Sequence, residues 1–146
     1  MLDYDMNELK KLLDEIGDKQ LMNQIVLTGY VVNTDLPAIY SLSTIFLYPS
    51  LRESFGIPML EAMACGVPVI TSNTSSMPEV SGDAAHIVNP YNPEEITEGI
   101  IKILSEKEYS ENLCKKGIER SKLFSWKNMA EQILVLYNEI KMKHHD

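Results

Sequence analysis

The chain is short of positive charge and of long apolar runs, and each shortage excludes a class of protein. Its 146 residues hold 13 Lys and Arg against 21 Asp and Glu, a formal net charge of -8. Without a cluster of Lys and Arg, the chain has no electrostatic binding surface for a nucleic-acid backbone or an anionic membrane. Its apolar runs, such as residues 45–48, are far shorter than the roughly 20 residues of a membrane-spanning helix. We expect no nucleic-acid partner and no spanning membrane segment.

Cysteine is equally scarce. The chain has only Cys65 and Cys114, too few for the disulfide framework of a small secreted domain. Residues 1–6 are acidic where a secretory signal would be basic. Both features favour a cytoplasmic location.

Short apolar runs alternate with helical patterns along the chain. Four runs, at residues 25–30, 44–48, 67–71 and 85–88, are rich in Val, Ile and Leu without polar alternation. Parallel strands that helices cover on both faces have this composition. The pattern predicts an α/β fold, a Rossmann-like parallel sheet with flanking helices, in one domain.

Helix starts and apolar spacing predict the helices that connect these strands. Asn92 before Pro93 is typical of a helix start, and Ser125 of another. We expect the apolar stripe of the last helix to pack in the core. The predicted helices cover residues 8–16, 36–42, 58–65, 93–104, 108–122 and the stretch after Ser125, whose stripe is Met129, Ile133, Leu136, Tyr137 and Ile140.

The candidate site follows the second apolar run. Pro58 suits a helix start and Gly66 a helix end, so this helix points its N-terminus at residues 53–56. Ligands of open α/β sheets bind at such strand ends. Free amides from Ser54 to Ile57 and the helix dipole favour an anion, above all a phosphate.

Two acidic residues, Glu53 in the loop and Glu61 in the helix, frame this anion site. A carboxylate is a poor partner for phosphate but a good acceptor for hydroxyl groups, and a nucleotide sugar has hydroxyls on both sides of its diphosphate. The pair therefore predicts a nucleotide-sugar site. Taken singly, Glu61 could instead complement the helix dipole and Glu53 could be a solvated loop acid.

Residues 53–70, ESFGIPMLEAMACGVPVI, resemble the Glu-x7-Glu donor-site motif of the group 1 (family 4) glycosyltransferases of GT-B fold. The similarity extends from about Gln24 to Tyr137. It includes four further stretches, at residues 29–30, 48–50, 78–80 and 124–126.

The resemblance implies the donor-binding, C-terminal half of a retaining hexosyltransferase, which acts in the synthesis of a polysaccharide or a similar conjugate. Glu53 would be the catalytic residue, at the hydroxyls of the donor sugar, and Glu61 would hold the ribose hydroxyls. No metal and no further cofactor is implied, because the leaving diphosphate itself helps to deprotonate the acceptor. The other donor-binding residues implied are Tyr30, Val31, Ser54, Phe55, Gly56, Ile57 and Leu60.

The chain also departs from the family pattern. The family's Gly-Arg pair and following Lys, which clamp the diphosphate, have no counterpart, and the N-terminal acceptor-binding half is absent. In the usual order 3-2-1-4-5-6, the four runs correspond to strands 3, 4, 5 and 6. We expect residues 1–146 to form a partial domain without its first two strands. The apolar edge at residues 44–48 would then re-pair, self-associate or lower the stability.

Two other interpretations stay open. A non-catalytic nucleotide-sugar-binding or scaffolding module would keep the site, and the missing clamp and acceptor half favour it for this chain alone. A generic doubly wound domain would use Glu53 and Glu61 structurally, since a fold does not specify a function.

Three smaller signals carry expectations of their own. Ser76 and Glu79 have the spacing of a capping box, which predicts helix initiation. By the family resemblance the same loop approaches the donor, which Ser75 or Ser76 could touch. His86 lies in the fourth run and is expected to be a packed residue, not a catalyst.

Overall fold

The structure is a computed structural model that describes residues 6–18 and 20–143. The acidic start of the chain, residues 1–5, lies outside the described residues. The helices are α1 (Met6–Ile16), α2 (Leu36–Leu42), α3 (Ile57–Ala64), α4 (Met77–Ser81), α5 (Pro93–Ser105), α6 (Lys107–Lys122) and α7 (Trp126–Lys143). The strands are β1 (Phe46–Tyr48), β2 (Val69–Ser72) and β3 (His86–Val88). None of the helices within these ranges is both long and apolar enough to cross a bilayer.

The chain divides into two compact units, residues 1–36 and 37–146. The first contains α1 and a short 3-10 turn, Leu21–Gln24. Gly17 ends α1 with φ +77°, a left-handed conformation that glycine adopts without the steric penalty of a side chain.

The predicted strand at residues 25–30 is wrong. This segment of the first unit forms no strand, and Val26 is 81% exposed. A strand needs a hydrogen-bonded neighbour, whereas composition supplies only a preference for extended backbone. Nothing within residues 6–18 and 20–143 pairs with this run, so its apolar character alone does not make a strand.

The second unit is built on a parallel sheet with the order β1-β2-β3. The central strand is buried along its whole length, and α3 and α5 both pack against it. The predicted α/β fold with a parallel sheet is therefore confirmed. β1 is an edge strand, as expected, and it does not re-pair with residues 25–30. Self-association through this edge stays a prediction.

The core fixes the position of α3, the helix that follows the candidate loop. Met59 and Met63 of α3 are fully buried. Gly117 of α6 lies against Met63, and a Cβ at this glycine would be 3.2 Å from the Met63 Cγ. Because α6 approaches α3 so closely, the helix N-terminus has a fixed place at the end of β1.

The prediction that the last helix buries its apolar stripe is wrong. Met129, Ile133, Leu136, Tyr137 and Ile140 of α7 are between 42% and 68% exposed. A 3.6-residue period identifies an apolar helix face, but burial also requires an element that covers it. The period therefore predicted the helix correctly and its environment incorrectly.

His86 is packed, as predicted. Its Nδ1 is 2.8 Å from the Tyr109 hydroxyl. A Cβ at Gly99 would lie 2.6 Å from its Cδ2, so a side chain there would collide with the ring. Burial, and then the nearby charge of Lys102, lowers the pKa of His86.

This lowered pKa predicts a loss of stability in mild acid. The unfolded chain, in which the histidine has its ordinary pKa near 6.5, binds a proton at a higher pH than the folded chain, in which this pKa is lower. The free energy of unfolding should therefore fall as the pH drops below about 6.5. Denaturant titrations between pH 7.5 and about 5.5 measure the slope. His86→Asn should flatten this slope, and an unchanged slope would contradict the assignment.

Candidate functional site

The loop between β1 and α3 presents free amides at a helix N-terminus. Gly56 precedes α3 with φ +90°, and its carbonyl accepts from the N–H of Met59 at 3.1 Å. Among the described residues, no backbone hydrogen bond occupies the N–H groups of Ser54 to Ile57. These donors and the positive end of the helix dipole are suited to an anion.

Gly56 also allows close packing behind this loop. A Cβ at this position would lie 2.5 Å from the Cε of Met77, which is fully buried at the start of α4. The left-handed backbone and the missing side chain are both needed here. The helix N-terminus is thus pressed against α4.

The backbone of Glu53 is held by the loop that follows β2. The Ser75 hydroxyl accepts from the N–H of Glu53 at 3.2 Å and donates to its carbonyl. Ser76 donates to the same carbonyl at 3.1 Å. Ser75 has φ +57°, a left-handed conformation that costs a non-glycine residue about 1 kcal/mol. Backbone strain of this kind clusters at binding sites.

The helix initiation predicted at Ser76 and Glu79 is confirmed, because α4 begins at Met77, but the side-chain bond of a capping box does not form. Ser76 immediately precedes α4, but its hydroxyl makes no cap to that helix. The hydroxyl binds the Glu53 carbonyl instead, because the neighbouring loop offers an acceptor that the local pattern does not reveal.

Further hydroxyls join the two loops. Ser72 donates to the Ser50 carbonyl at 2.6 Å, and Thr74 donates to the same carbonyl at 3.2 Å. Thr71 donates to the Tyr48 carbonyl at 3.1 Å. The Thr71 bond reinforces the last paired residues of β1 and β2, and the bonds of Ser72 and Thr74 join the chain beyond them, so they hold the start of the candidate loop.

The carboxylate of Glu53 accepts two hydrogen bonds at one oxygen. The Tyr48 hydroxyl is 2.6 Å and the Ser50 hydroxyl 3.1 Å from Oε1. No described residue donates to Oε2.

The carboxylate of Glu61 has a similar arrangement. The Tyr40 hydroxyl donates to its Oε2 at 3.1 Å, and no described residue donates to its Oε1. Glu61 is exposed, whereas Tyr40 is only 8% exposed. A buried tyrosine thus holds an exposed acid.

Both tyrosines pack on one ring. Tyr40 meets Phe46 edge to face, with centroids 5.3 Å apart, and Tyr48 stacks on Phe46 at 5.6 Å. These contacts connect the supports of the two carboxylates through β1.

The tyrosines are strongly favoured in their neutral, donating form. Burial, the hydrogen bond to Glu61 and its charge raise the pKa of Tyr40 to about 12. Burial, the hydrogen bond to Glu53 and the charge of Glu53 likewise raise the pKa of Tyr48. Both hydroxyls therefore remain donors at physiological pH.

Comparison with known proteins assigns the family. The model of the group 1 glycosyl transferases matches residues 5–120. The chain belongs to the group 1 glycosyltransferases. Its two motif acids lie in sequence on either side of the helix start, Glu53 in the loop that carries the free amides and Glu61 within α3.

Relatives of this glycosyltransferase chain are much longer than the chain itself. It is 42% identical over 109 residues to the O-antigen chain mannosyltransferase B of Escherichia coli, covering 75% of this chain and 29% of that protein. The sucrose-phosphate synthase of Thermosynechococcus elongatus superposes with a TM-score of 0.80 at 28% identity, over 94% of this chain and 34% of its own. HepE of Anabaena, solved with UDP-glucose, shares the fold with a TM-score of 0.79 at 20% identity, over 94% and 38%.

The other predicted site residues have different surroundings. Ser54, Phe55 and Ile57 are exposed around the free amides, whereas Leu60 is 8% exposed and packs in the core. Phe55 meets Phe124 edge to face, with centroids 5.6 Å apart. Tyr30 and Val31 belong to the first unit, and their role in the glycosyltransferase stays a prediction.

Sequence reasoning missed the two tyrosines. The sequence pattern places Tyr48 at a strand end and Tyr40 in a helix, and neither position singles out its hydroxyl. The only sequence signal is a tyrosine near the acid motif. Its contact with an acid can be recognised only from the three-dimensional structure. A shallow groove of about 760 Å³ lies elsewhere, along the first half of α6 from Glu106 to Lys115, and contains none of the predicted residues.

The bond between Tyr40 and Glu61 predicts a spectroscopic change. Glu61→Gln removes the negative charge beside the phenol, so the pKa of Tyr40 should fall below about 12. It should stay above the ordinary value of 10.0, because burial, the largest cause, remains. NMR of tyrosine labelled at Cζ follows each phenol separately. Tyr48 should titrate as before, and an unchanged Tyr40 would contradict the contact.

Proposed function

We propose that this chain is the donor-binding part of a retaining glycosyltransferase, which transfers a hexose from a nucleoside-diphosphate sugar to an acceptor hydroxyl. The proposal is carried by the free amides of Ser54 to Ile57, with Glu53 in the same loop and Glu61 in the helix that follows, each acid accepting hydrogen bonds from described residues at one carboxylate oxygen only.

Each part of the site has a role matched to its chemistry. The amides before α3 bind the diphosphate, because they add donors to the positive end of the helix. Glu53 accepts hydrogen bonds from the hydroxyls of the sugar through its open Oε2 and acts as the catalytic residue. Glu61 accepts from the ribose hydroxyls through its open Oε1. Tyr30 and Val31 line the base pocket.

Catalysis in this proposal rests on the leaving group. The bond between the anomeric carbon and the diphosphate breaks, and negative charge grows on the departing phosphate oxygen. Fixed amides aimed at that charge stabilise the transition state more than the ground state. On the same face of the sugar, the acceptor oxygen forms the new bond to the anomeric carbon and the departing phosphate takes its proton, so no metal and no further cofactor is needed.

The relatives support a role in carbohydrate assembly. The similar Escherichia coli protein is an O-antigen chain mannosyltransferase, which is consistent with a hexose donor and a growing polysaccharide. The chain spans 29% of that relative, and we propose that the acceptor site of the whole enzyme lies in an N-terminal half. We propose a cytoplasmic location for this reaction.

Binding experiments test the two acids separately. Calorimetric titrations use UDP, GDP, UDP-glucose and GDP-mannose as probes. Glu61→Gln should weaken the preferred diphosphate and its sugar conjugate about tenfold or more, since hydrogen bonds to a charged group are worth about 1.5–3 kcal/mol. Glu53→Gln should weaken only the sugar conjugate. The exposed Glu98→Gln is the matched control.

Three results would count against the proposal. If the unaltered chain binds none of the probes, the site does not take a nucleotide sugar. If both variants bind as the unaltered chain does, the acids are structural. Binding without any transfer, even when the N-terminal half of a longer relative is supplied, would favour a non-catalytic binding module.

A further inference from the structure

An aromatic cluster lies behind the two acids of the site and contacts both. Tyr40 of α2 donates to Glu61, Tyr48 of β1 donates to Glu53, and both tyrosine rings pack on Phe46. We propose that Tyr40, Phe46 and Tyr48 are positioning residues that set the orientation of both donor-binding carboxylates, an inference that rests on the proposed function.

The first step concerns which oxygen of each acid meets the ligand. Tyr48 and Ser50 both donate to Oε1 of Glu53, which leaves Oε2 as the available acceptor. Tyr40 donates to Oε2 of Glu61, which leaves Oε1. A carboxylate on a flexible stem loses side-chain entropy when it binds a ligand. Because the tyrosines already hold these groups, part of that ordering is complete before binding.

The second step concerns the distance between the acids. Glu53 lies in a loop and Glu61 on a helix, so sequence neighbours do not fix their side chains relative to each other. The rings of Tyr40 and Tyr48 share one neighbour, Phe46, at 5.3 and 5.6 Å. A tyrosine side chain turns about only two torsions, so a packed ring sets the place of its hydroxyl. Phe46 therefore fixes both hydroxyls, and through them both carboxylates.

A purely structural role would also give these contacts. A buried tyrosine hydroxyl needs a hydrogen-bond partner, and Tyr40 is 8% exposed. The two roles predict different effects of the tyrosine substitutions on ligand affinity when the acids are also altered. If the tyrosines act through Glu53 and Glu61, their effect on binding vanishes once the acids are altered. If they only stabilise the fold, their effect persists.

Single substitutions give the first readout, with the same four probes. Tyr48→Phe should weaken the sugar conjugate about three- to tenfold, the worth of one ordinary hydrogen bond, and leave the parent diphosphate unchanged. Tyr40→Phe should weaken both to a similar degree, because Glu61 meets the ribose. Phe46→Leu should combine the two effects. Tyr137→Phe, on exposed α7, makes the same chemical change away from the cluster and should have no effect.

Double-mutant cycles give the deciding readout. In a Glu53→Ala background, which has no side-chain acceptor at this position, Tyr48→Phe should change the affinity less than twofold, and the same should hold for Tyr40→Phe in a Glu61→Ala background. Equal losses with and without the acids would overturn the inference, as would tyrosine variants that bind like the unaltered chain. In both cases the proposed function survives. An unaltered chain that binds no probe overturns the proposed function, and this inference with it.

Discussion

The site depends on the two hydrogen bonds between the Ser75 hydroxyl and the backbone of Glu53. One hydroxyl meets both the N–H and the carbonyl of the same residue, so the loop after β1 is tied to the loop after β2. Adjacent parallel strands deliver these loops to the same edge of the sheet. The left-handed backbone of Ser75 shows that local conformational preference yields to this contact.

The sequence predicted the regular elements of the second unit well, for reasons that are local. Pro93 after Asn92 and the hydroxyl of Ser125 mark helix starts, and both caps form, with Asn92 accepting from Glu95 and Ser125 from Asn128. The strands β1 to β3 lie within or beside their predicted runs. Failures occur where the outcome depends on a distant neighbour, as in the unpaired residues 25–30 and the uncovered face of α7.

The same distinction applies to the site. The free amides before α3 and the two acids follow from a helix start and a motif, both contiguous in sequence. The support of those acids could not be predicted, because Tyr40 and Ser75 come from segments on either side of the motif. Ser76 illustrates the limit: its spacing from Glu79 suggests a helix cap, but its hydroxyl binds the neighbouring loop. Hydrogen bonds between side chains and residues distant in sequence cannot be recognised from local sequence patterns.

Every side chain that holds Glu53 or Glu61 lies in the uninterrupted stretch from Tyr40 to Ser76. The two acids and the side chains that bond to them therefore form one contiguous segment, so a single stretch of the gene encodes all of them.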